Sequence, residues 1–552
     1  MMNMKIHNKI YSFMAVAMLL IAGCSDNTSA LDGVEPIFAS VELSTSSAVI
    51  AREGGMKKIF VATNREAWDV VCEEEWLDIS IEESSLTFFV DQNPGSESRL
   101  AVIEVVAGSG NDTAKARFKL MQEGEKAVDL SAEERANCYI ARTSTTYRFD
   151  ASVKGNGNGG DGNTEYLRTF GVAINDAAYA DLVWEATFDG DKTRSCDIIS
   201  GSPIYSPEQK AIYFTTGAIE GNALISVCDK GGKILWSWHI WVTDEEISTS
   251  TANGLVWQDR NLGAGCNTPG EISNRGLLYQ WGRKEPFLPS PAPYIEIPKH
   301  RYNDDYEIDE SEEEYNRVQE AIVAAREQVN INNTQTGEGS AEWHYAGFAT
   351  PVALNAPGNI DYALRHPTTF LGCRTDIPIG EYVFDWYLQQ DLMNANGEMM
   401  QASSYLWGSS DQNKTYKTLF DPCPAGYTVP PQGAFGEVPD GYACTDVNKE
   451  WTMQDYGWTW SGGNGDYFPS TGNFDVSGLI GETSERLLYW TAKSYGSGTN
   501  GFGKAGTLFV AFDEVYYGVY PILDGAEAAA WYSYGARCYG ASVRCVKISN
   551  RQ

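Results

Sequence analysis

Short apolar-rich runs broken by turns, with few long stretches of helical period, set the limits on what this chain can fold into. Lys58-Ile59-Phe60-Val61-Ala62, Leu86-Thr87-Phe88-Phe89-Val90, Leu100-Ala101-Val102-Ile103-Glu104-Val105-Val106 and Ala116-Arg117-Phe118-Lys119-Leu120-Met121-Gln122 have the length and spacing of strands in a sandwich. The 552 residues include 54 glycines, 30 tyrosines and 16 tryptophans, a composition that suits strands and turns and predicts a mainly β protein. At roughly 100 to 200 residues per domain, the chain divides into about three folded modules.

The N-terminus carries an address rather than a fold. Lys5 and Lys9 precede an apolar segment, Tyr11 to Ala22, that is short for a spanning helix, and Leu20-Ile21-Ala22-Gly23-Cys24 follows. This arrangement resembles the signal of bacterial lipoproteins, which implies removal of residues 1–23 and lipidation of Cys24. Residues 24–40 then form a linker. Two or more acyl chains hold a protein stably on a membrane. Ser25-Asp26 resembles the surface-export signal of Bacteroidetes lipoproteins, so the expected location is the outer membrane, lipid-anchored and facing outward. No later segment is apolar for long enough to cross a bilayer as a helix.

A formal charge of −33 with no basic stripe excludes a nucleic-acid partner, since a polyphosphate needs basic residues to displace its counterions. Apart from Cys24 there are ten cysteines and no Cys-x-x-Cys pair, which argues against a structural zinc site. No metal and no cofactor is expected.

Residues 41–124 form the first module. The order Trp68, Trp76-Leu77, Asn93, Arg99-Leu100-Ala101-Val102-Ile103 and Gln122 resembles the BACON family. The resemblance implies an immunoglobulin-like β-sandwich; the family's name implies sugar binding, although many members look like spacers. Trp68 and Trp76 read as a stacking platform or as core, and their place on strands favours core.

A second β module is expected over residues 131–244, resembling one that recurs beside the next domain in Bacteroidetes surface proteins. Asp229-Lys230-Gly231-Gly232-Lys233 reads as a hairpin turn. In the strand after it, Trp236, Trp238 and Ile240 alternate with Ser237, His239 and Trp241, so one face is expected to be core and His239 structural. Gly155-x-Gly157-x-x-Gly160 mimics a dinucleotide loop, but with no helix expected after it and no βαβ unit around it, it reads as a flexible loop. Asp161 and Asn163 are possible cation ligands there, without EF-hand spacing.

Residues 253–547 carry five ordered segments: Leu255-Val256-Trp257-Gln258-Asp259-Arg260-Asn261-Leu262-Gly263-Ala264, Leu278-Tyr279-Gln280-Trp281-Gly282-Arg283, Asp421-Pro422-Cys423-Pro424-Ala425-Gly426-Tyr427-Thr428-Val429-Pro430, Tyr489-Trp490-Thr491-Ala492 and Ser542-Val543-Arg544-Cys545-Val546. Together they resemble the Fibrobacter succinogenes major paralogous (FISUMP) domain, which is similar to C-type-lectin-like folds. The resemblance implies an α+β domain, interrupted by an insertion over about residues 285–416. Tyr315, Val318, Ile322, Ala325 and Val329 give that insertion one amphipathic helix, preceded by an acidic run from Asp304 to Glu314. Cys423 and Cys545 both lie in FISUMP-like segments, which suggests a disulfide between them; two buried thiols is the alternative.

Catalytic motifs are lacking. There is no Gly-x-Ser-x-Gly and no His-Glu-x-x-His, and beyond the signal only His239, His300, His344 and His366 remain. Cys538 and Cys545 invite comparison with formylglycine-generating oxidases on thin grounds. The Glu-Pro-Asn motif of calcium-dependent sugar binding is replaced by Glu285-Pro286-Phe287. No catalytic residue is assigned.

The expected function is binding of an extracellular ligand, a polysaccharide or host glycan, by the C-terminal domain. A structural or adhesin role with surface-protein partners is the alternative, and an uncharacterised enzyme the third. The ligand face is expected in irregular loops around Trp451 to Phe468 and Trp531 to Tyr539. Trp458 and Trp460 there read as core, leaving Trp531, Tyr532 and Tyr534 as ligand residues. Replacing Cys24 with serine should release the protein from membranes and abolish fatty-acid labelling; a Cys24→Ser variant that still labels contradicts the lipoprotein assignment.

Overall fold

The structure is a computed structural model. It describes residues 38–289 except 96, 111, 125–126, 159–164 and 190–197. Beyond 289 it describes residues 330–333, 338–342, 348–349, 356–372, 386, 406–407, 416–436, 450–463, 465–474, 480–483, 487–494, 504–512 and 528–548. Cys24, Asp161, Asn163, the acidic run and the helix expected at Tyr315 to Val329 lie outside the described residues. The chain forms two compact units, Met1–Lys126 and Ala127–Gln552. Among the described residues no helix is long and apolar enough to cross a membrane.

The first unit is all strand: β1 (Val41–Leu43), β2 (Ser47–Ile50), β3 (Gly55–Thr63), β4 (Trp68–Val71), β5 (Leu77–Glu82), β6 (Ser85–Val90), β7 (Arg99–Ser109) and β8 (Asp112–Gln122). Two four-stranded sheets result, ordered β1-β3-β6-β5 and β2-β8-β7-β4. Alternation along β7 buries Ala101, Ile103, Val105 and Ala107, because successive side chains leave a strand on opposite faces. Ile59, Leu86 and Phe88 from one sheet meet Ile103, Phe118 and Leu120 from the other, with the Phe88 and Phe118 rings stacked at 5.0 Å. The BACON-like residues close one end. Gln122 Nε2 donates to the Asp91 and Arg52 carbonyls at 2.7 and 3.0 Å, and its Oε1 accepts from Arg99 Nε at 2.8 Å. The Arg99 guanidinium lies 4.3 Å from the Trp76 ring centroid. Trp68 and Trp76 are half-buried against the core, so they belong to the packing.

The second unit opens with β9 (Val128–Asp129), β10 (Cys138–Ala141), β11 (Thr146–Asp150), α1 (Glu165–Phe170), β12 (Tyr179–Ala186), β13 (Ile199–Ser206), β14 (Ala211–Thr216), β15 (Gly221–Cys228) and β16 (Ile234–Val242). They make sheets β10-β16-β15-β12 and β13-β14-β11-β9. The β15–β16 hairpin turns at Asp229 to Lys233, where Asp229 Oδ1 accepts from the Gly231 and Lys233 amides at 2.9 and 3.0 Å. Contrary to the sequence reading, a helix does follow the glycine loop: α1, six residues long. Its flanking strands β11 and β12 lie in different sheets, so there is still no βαβ unit. Gly155, at φ +49°, passes so close to the Leu419 carbonyl that a Cβ would lie 2.3 Å from it.

The remaining described strands form five further sheets, two of them simple pairs, Asn330–Asn333 with Glu338–Glu342 and Phe348–Ala349 with Phe370–Leu371. Thr249–Ala252, Leu255–Gln258, Val546–Lys547 and Tyr427–Thr428 pair in that order. A larger sheet runs Ile480–Thr483, Thr471–Phe474, Gly540–Ser542, Leu487–Ser494, Lys504–Phe512, Ala528–Ala536, with Leu278–Gln280 paired to Gly540–Ser542. Trp451–Gln454, Gly457–Trp460 and Asp466–Pro469 make a meander. A second helix, α2, spans Ala356–Arg365.

Two expectations are corrected here. The modules expected at 131–244 and 253–547 share one core, in which Cys138 and Trp236 pack with Trp281, Trp407, Cys423, Trp490 and Cys545. Both faces of β16 are therefore buried. Trp238 packs on Phe149 at 5.0 Å, while on the other face the Trp241 indole donates to the Ala264 carbonyl at 3.2 Å and Lys284 Nζ to the Ser237 carbonyl at 2.8 Å. Second, the 285–416 span is no simple insertion. Glu285, Phe287, Leu288, Trp386, Leu406 and Trp407 are all buried, because Phe287 pairs back onto Leu278 and carries the chain into the core.

Candidate functional site

Three of the five segments singled out in the sequence meet at one buried amide. Asn261 Oδ1 accepts from the Tyr489 hydroxyl at 2.9 Å and from Arg544 Nε and Nη2 at 3.2 and 3.1 Å, while its Nδ2 donates to the Arg275 carbonyl at 3.0 Å. The Arg544 guanidinium also lies 3.9 Å from the Phe468 ring centroid, and burial holds its pKa below the usual value. The next segment, Gln280 to Arg283, serves the backbone. Gln280 Nε2 donates to the Leu371 and Cys538 carbonyls at 2.8 and 2.9 Å, and the Trp281 indole donates to the Thr491 carbonyl at 3.0 Å. Asp421 accepts from the Cys423 and Val429 amides and the Thr428 hydroxyl at 2.8, 3.1 and 2.6 Å. A disulfide joins Cys423 to Cys545 with Cα atoms 6.0 Å apart. These groups hold a scaffold together by hydrogen bonds to one another and to backbone.

Neither thiol chemistry nor a histidine centre emerges. Cys538 is buried, and Cys545 is already bonded to Cys423, so the two cannot act as the pair that the oxidase comparison requires. Among the described residues no three His, Cys, Asp or Glu side chains gather in a way that could hold a metal. His239 is buried in β16 and its Nε2 donates to Asn222 Oδ1 at 2.8 Å; Asn222 in turn donates to the Gly263 carbonyl at 2.8 Å.

The expected ligand loops are strands. Trp531, Tyr532 and Tyr534 lie in Ala528–Ala536, in register with Phe509, Leu508 and Gly506 of the neighbouring strand. In a strand, positions 531 and 532 belong to opposite faces of the sheet and 532 and 534 to the same one; the side chains of these three residues lie outside the described ones. The Trp451 to Phe468 region is the meander, and its aromatic residues are core. Trp451 and Trp460 stack at 5.6 Å, Trp257 meets Phe435 at 4.9 Å, and Phe468 meets Tyr489 at 5.3 Å. Asp455 and Tyr456, both at positive φ, make the tight turn that the sequence reading took for a loop.

The exposed apolar surface lies elsewhere. Of nine large hydrophobic side chains exposed among the described residues, seven belong to the first unit. Met56 on β3 stands directly opposite Phe89 on β6, and the two are 67% and 47% exposed. Phe60, 59% exposed, lies on the same face four residues along β3, about 13 Å away at strand rise. Lys58 stands between them and donates to Glu82 Oε2 at 2.7 Å. Sequence reasoning missed this face, although the signal was present: in Leu86-Thr87-Phe88-Phe89-Val90 two adjacent phenylalanines cannot both point inward.

Residues 66–123 match a family model described as "Putative binding domain, N-terminal". This stretch is similar to the BACON family. It spans β4 to β8 and contains Phe89, with Met56 and Phe60 just before it. No curated protein matches the chain. Among solved structures, a Bacteroides thetaiotaomicron protein is 18% identical, covering 18% of this chain and 98% of its own, with a TM-score of 0.14. The CupB2 chaperone of Pseudomonas aeruginosa is 9% identical over 36% of this chain and 100% of its own, with a TM-score of 0.18. A tandem of titin immunoglobulin domains is 9% identical over 38% and 98%, with a TM-score of 0.13.

Burial holds the His239 imidazole down to about 3, against an ordinary 6.5. The unfolded chain therefore binds a proton below pH 6.5 that the folded protein refuses. Stability is full above that pH and falls as pH drops toward 3. Between pH 7 and pH 5 this group alone removes about 2 kcal/mol. Urea unfolding of a His239→Gln variant should lack that increment; the same acid loss in variant and parent contradicts it.

Proposed function

We propose that the mature chain is a lipid-anchored outer-membrane protein, displayed on the cell surface, that binds an extracellular protein through the outer face of its BACON unit. The observation that carries this reading is the exposed set of Met56, Phe60 and Phe89. Exposed apolar patches on a soluble surface mark interaction sites, and each such ring gains roughly 1.5–3 kcal/mol when fully buried. Phenylalanine and methionine offer no polar handle for sugar hydroxyls, whereas methionine adapts readily to protein surfaces. The family match to a binding domain supports the same assignment.

The second unit, with its FISUMP-like and lectin-like segments, is on this reading a rigid carrier. Among the described residues twelve of its tryptophans are buried, which accounts for its tryptophan richness by packing. The test is an array of host extracellular proteins and glycans probed with residues 25–552. Met56→Ser, Phe60→Ser and Phe89→Ser together should weaken binding to the captured protein at least a hundredfold, about 2.7 kcal/mol, without changing the unfolding midpoint of the BACON unit by more than a degree or two. Unchanged affinity in the folded triple variant overturns the assignment of this face.

A further inference from the structure

Two buried cations in the second unit each hold the end of a helix. Arg283 Nη2 donates to the carbonyls of Ala363, His366 and Pro367 at 3.2, 3.0 and 3.3 Å, and Nη1 to that of Thr369 at 2.6 Å. Ala363 lies in the last turn of α2, whose carbonyls lack intrahelical partners, and the other three carbonyls belong to the chain just beyond it. Lys154 Nζ does the same for α1, donating to the Phe170 and Gly171 carbonyls at 3.4 and 2.9 Å. Burying a guanidinium is costly unless its donors are met; Glu285 Oε2, 3.4 Å from Arg283 Nε, supplies the counter-charge. Gln280 then fixes the chain beyond α2, accepting from the Leu371 amide at 3.2 Å and donating to its carbonyl at 2.8 Å.

The helix held in this way has an organised outer side. Ile360, Ala363 and Leu364 point into the core, at helical spacing. Asp361 and Arg365 form an i,i+4 ion pair, and beside it Tyr362 and His366 form an i,i+4 ring pair with centroids 4.2 Å apart and planes 36° apart. His366 is exposed and Tyr362 half-buried. Helix α1 packs alongside and leaves Phe170 41% exposed. Burial, with Arg365 and Arg283 nearby, keeps the His366 pKa below its ordinary value, so the ring is neutral at pH 7.

We propose that this side of α2 is a carbohydrate site, in which a sugar ring lies over the Tyr362–His366 pair and its hydroxyls bond the Asp361 carboxylate and the Arg365 guanidinium. A pyranose has an apolar C–H face and an edge of hydroxyls that both donate and accept. The two side-by-side pairs offer a neutral aromatic surface and, one helical step around, an acceptor and a donor. An anionic group is a poorer fit, because Asp361 faces it. A protein partner needs a larger apolar area than two rings provide. The site uses none of the residues of the BACON face, so the two readings stand or fall separately.

The experiment is a glycan array of neutral, amino- and acidic oligosaccharides probed with residues 25–552, followed by titration of the best oligosaccharide. Binding should fall at least tenfold in His366→Ala and in Tyr362→Ala, persist in Tyr362→Phe, which keeps the ring, and be unaffected by the Met56, Phe60 and Phe89 substitutions. His366 is exposed, so its variant should unfold at the parent temperature, which separates loss of the site from loss of the fold. An array on which the parent binds no glycan, or a folded His366→Ala variant that binds as tightly as the parent, overturns the proposal.

Discussion

One carboxamide oxygen closes the second unit. Asn261 Oδ1 takes hydrogen bonds from residues 228 and 283 positions away, Tyr489 and Arg544. Arg544 is buried with its charge, and the acceptors in contact with it are amide oxygens, those of Asn261 and of Asn267 at 3.3 Å. A buried cation deprived of such acceptors costs several kcal/mol, so the chain ends can meet only where Asn261 is in place. The neighbouring residue, Cys545, adds a covalent tie to Cys423. The strands that pair around this point, including Val546–Lys547 between Leu255–Gln258 and Tyr427–Thr428, inherit their register from it.

Much of the first unit was legible because its information is local. The four strand runs read from alternation fall within β3, β6, β7 and β8, and the residues that resemble the BACON family, Trp76, Asn93, Arg99 and Gln122, sit together at one end of the sandwich. The second unit was legible only as motifs. That Trp257, Asn261, Trp281, Tyr489 and Arg544 follow in order says nothing of what they touch, since many of their contacts span two hundred residues or more. Nor could alternation along β16 reveal that its second face is covered, because the cover comes from Ala264 and Lys284 in the next segment.

The reading of the aromatic-rich stretches as irregular loops failed for a similar reason. Glycine-rich stretches crowded with aromatic rings read as exposed loops, yet here glycine serves tight packing. Beside Trp460, a Cβ on Gly463 would lie 2.2 Å from the ring, so the glycine lets the indole lie flat against the backbone. The twelve buried tryptophans of this unit are structural material. Among the described residues most of the exposed large hydrophobic side chains are instead phenylalanine, methionine, valine and isoleucine of the first unit, where the strand pattern places most of them outward and nothing in composition points to them.

The division of labour between a buried-aromatic carrier and an apolar contact face on the BACON unit is the central claim. Hydrogen exchange followed by mass spectrometry, on residues 25–552 with and without a captured protein ligand, tests it most directly. The account predicts slowed exchange in β3 and β6, peptides covering 55–63 and 85–90, with 528–536 unchanged. Protection confined to 528–536, with 55–63 and 85–90 exchanging as in the free protein, would contradict it.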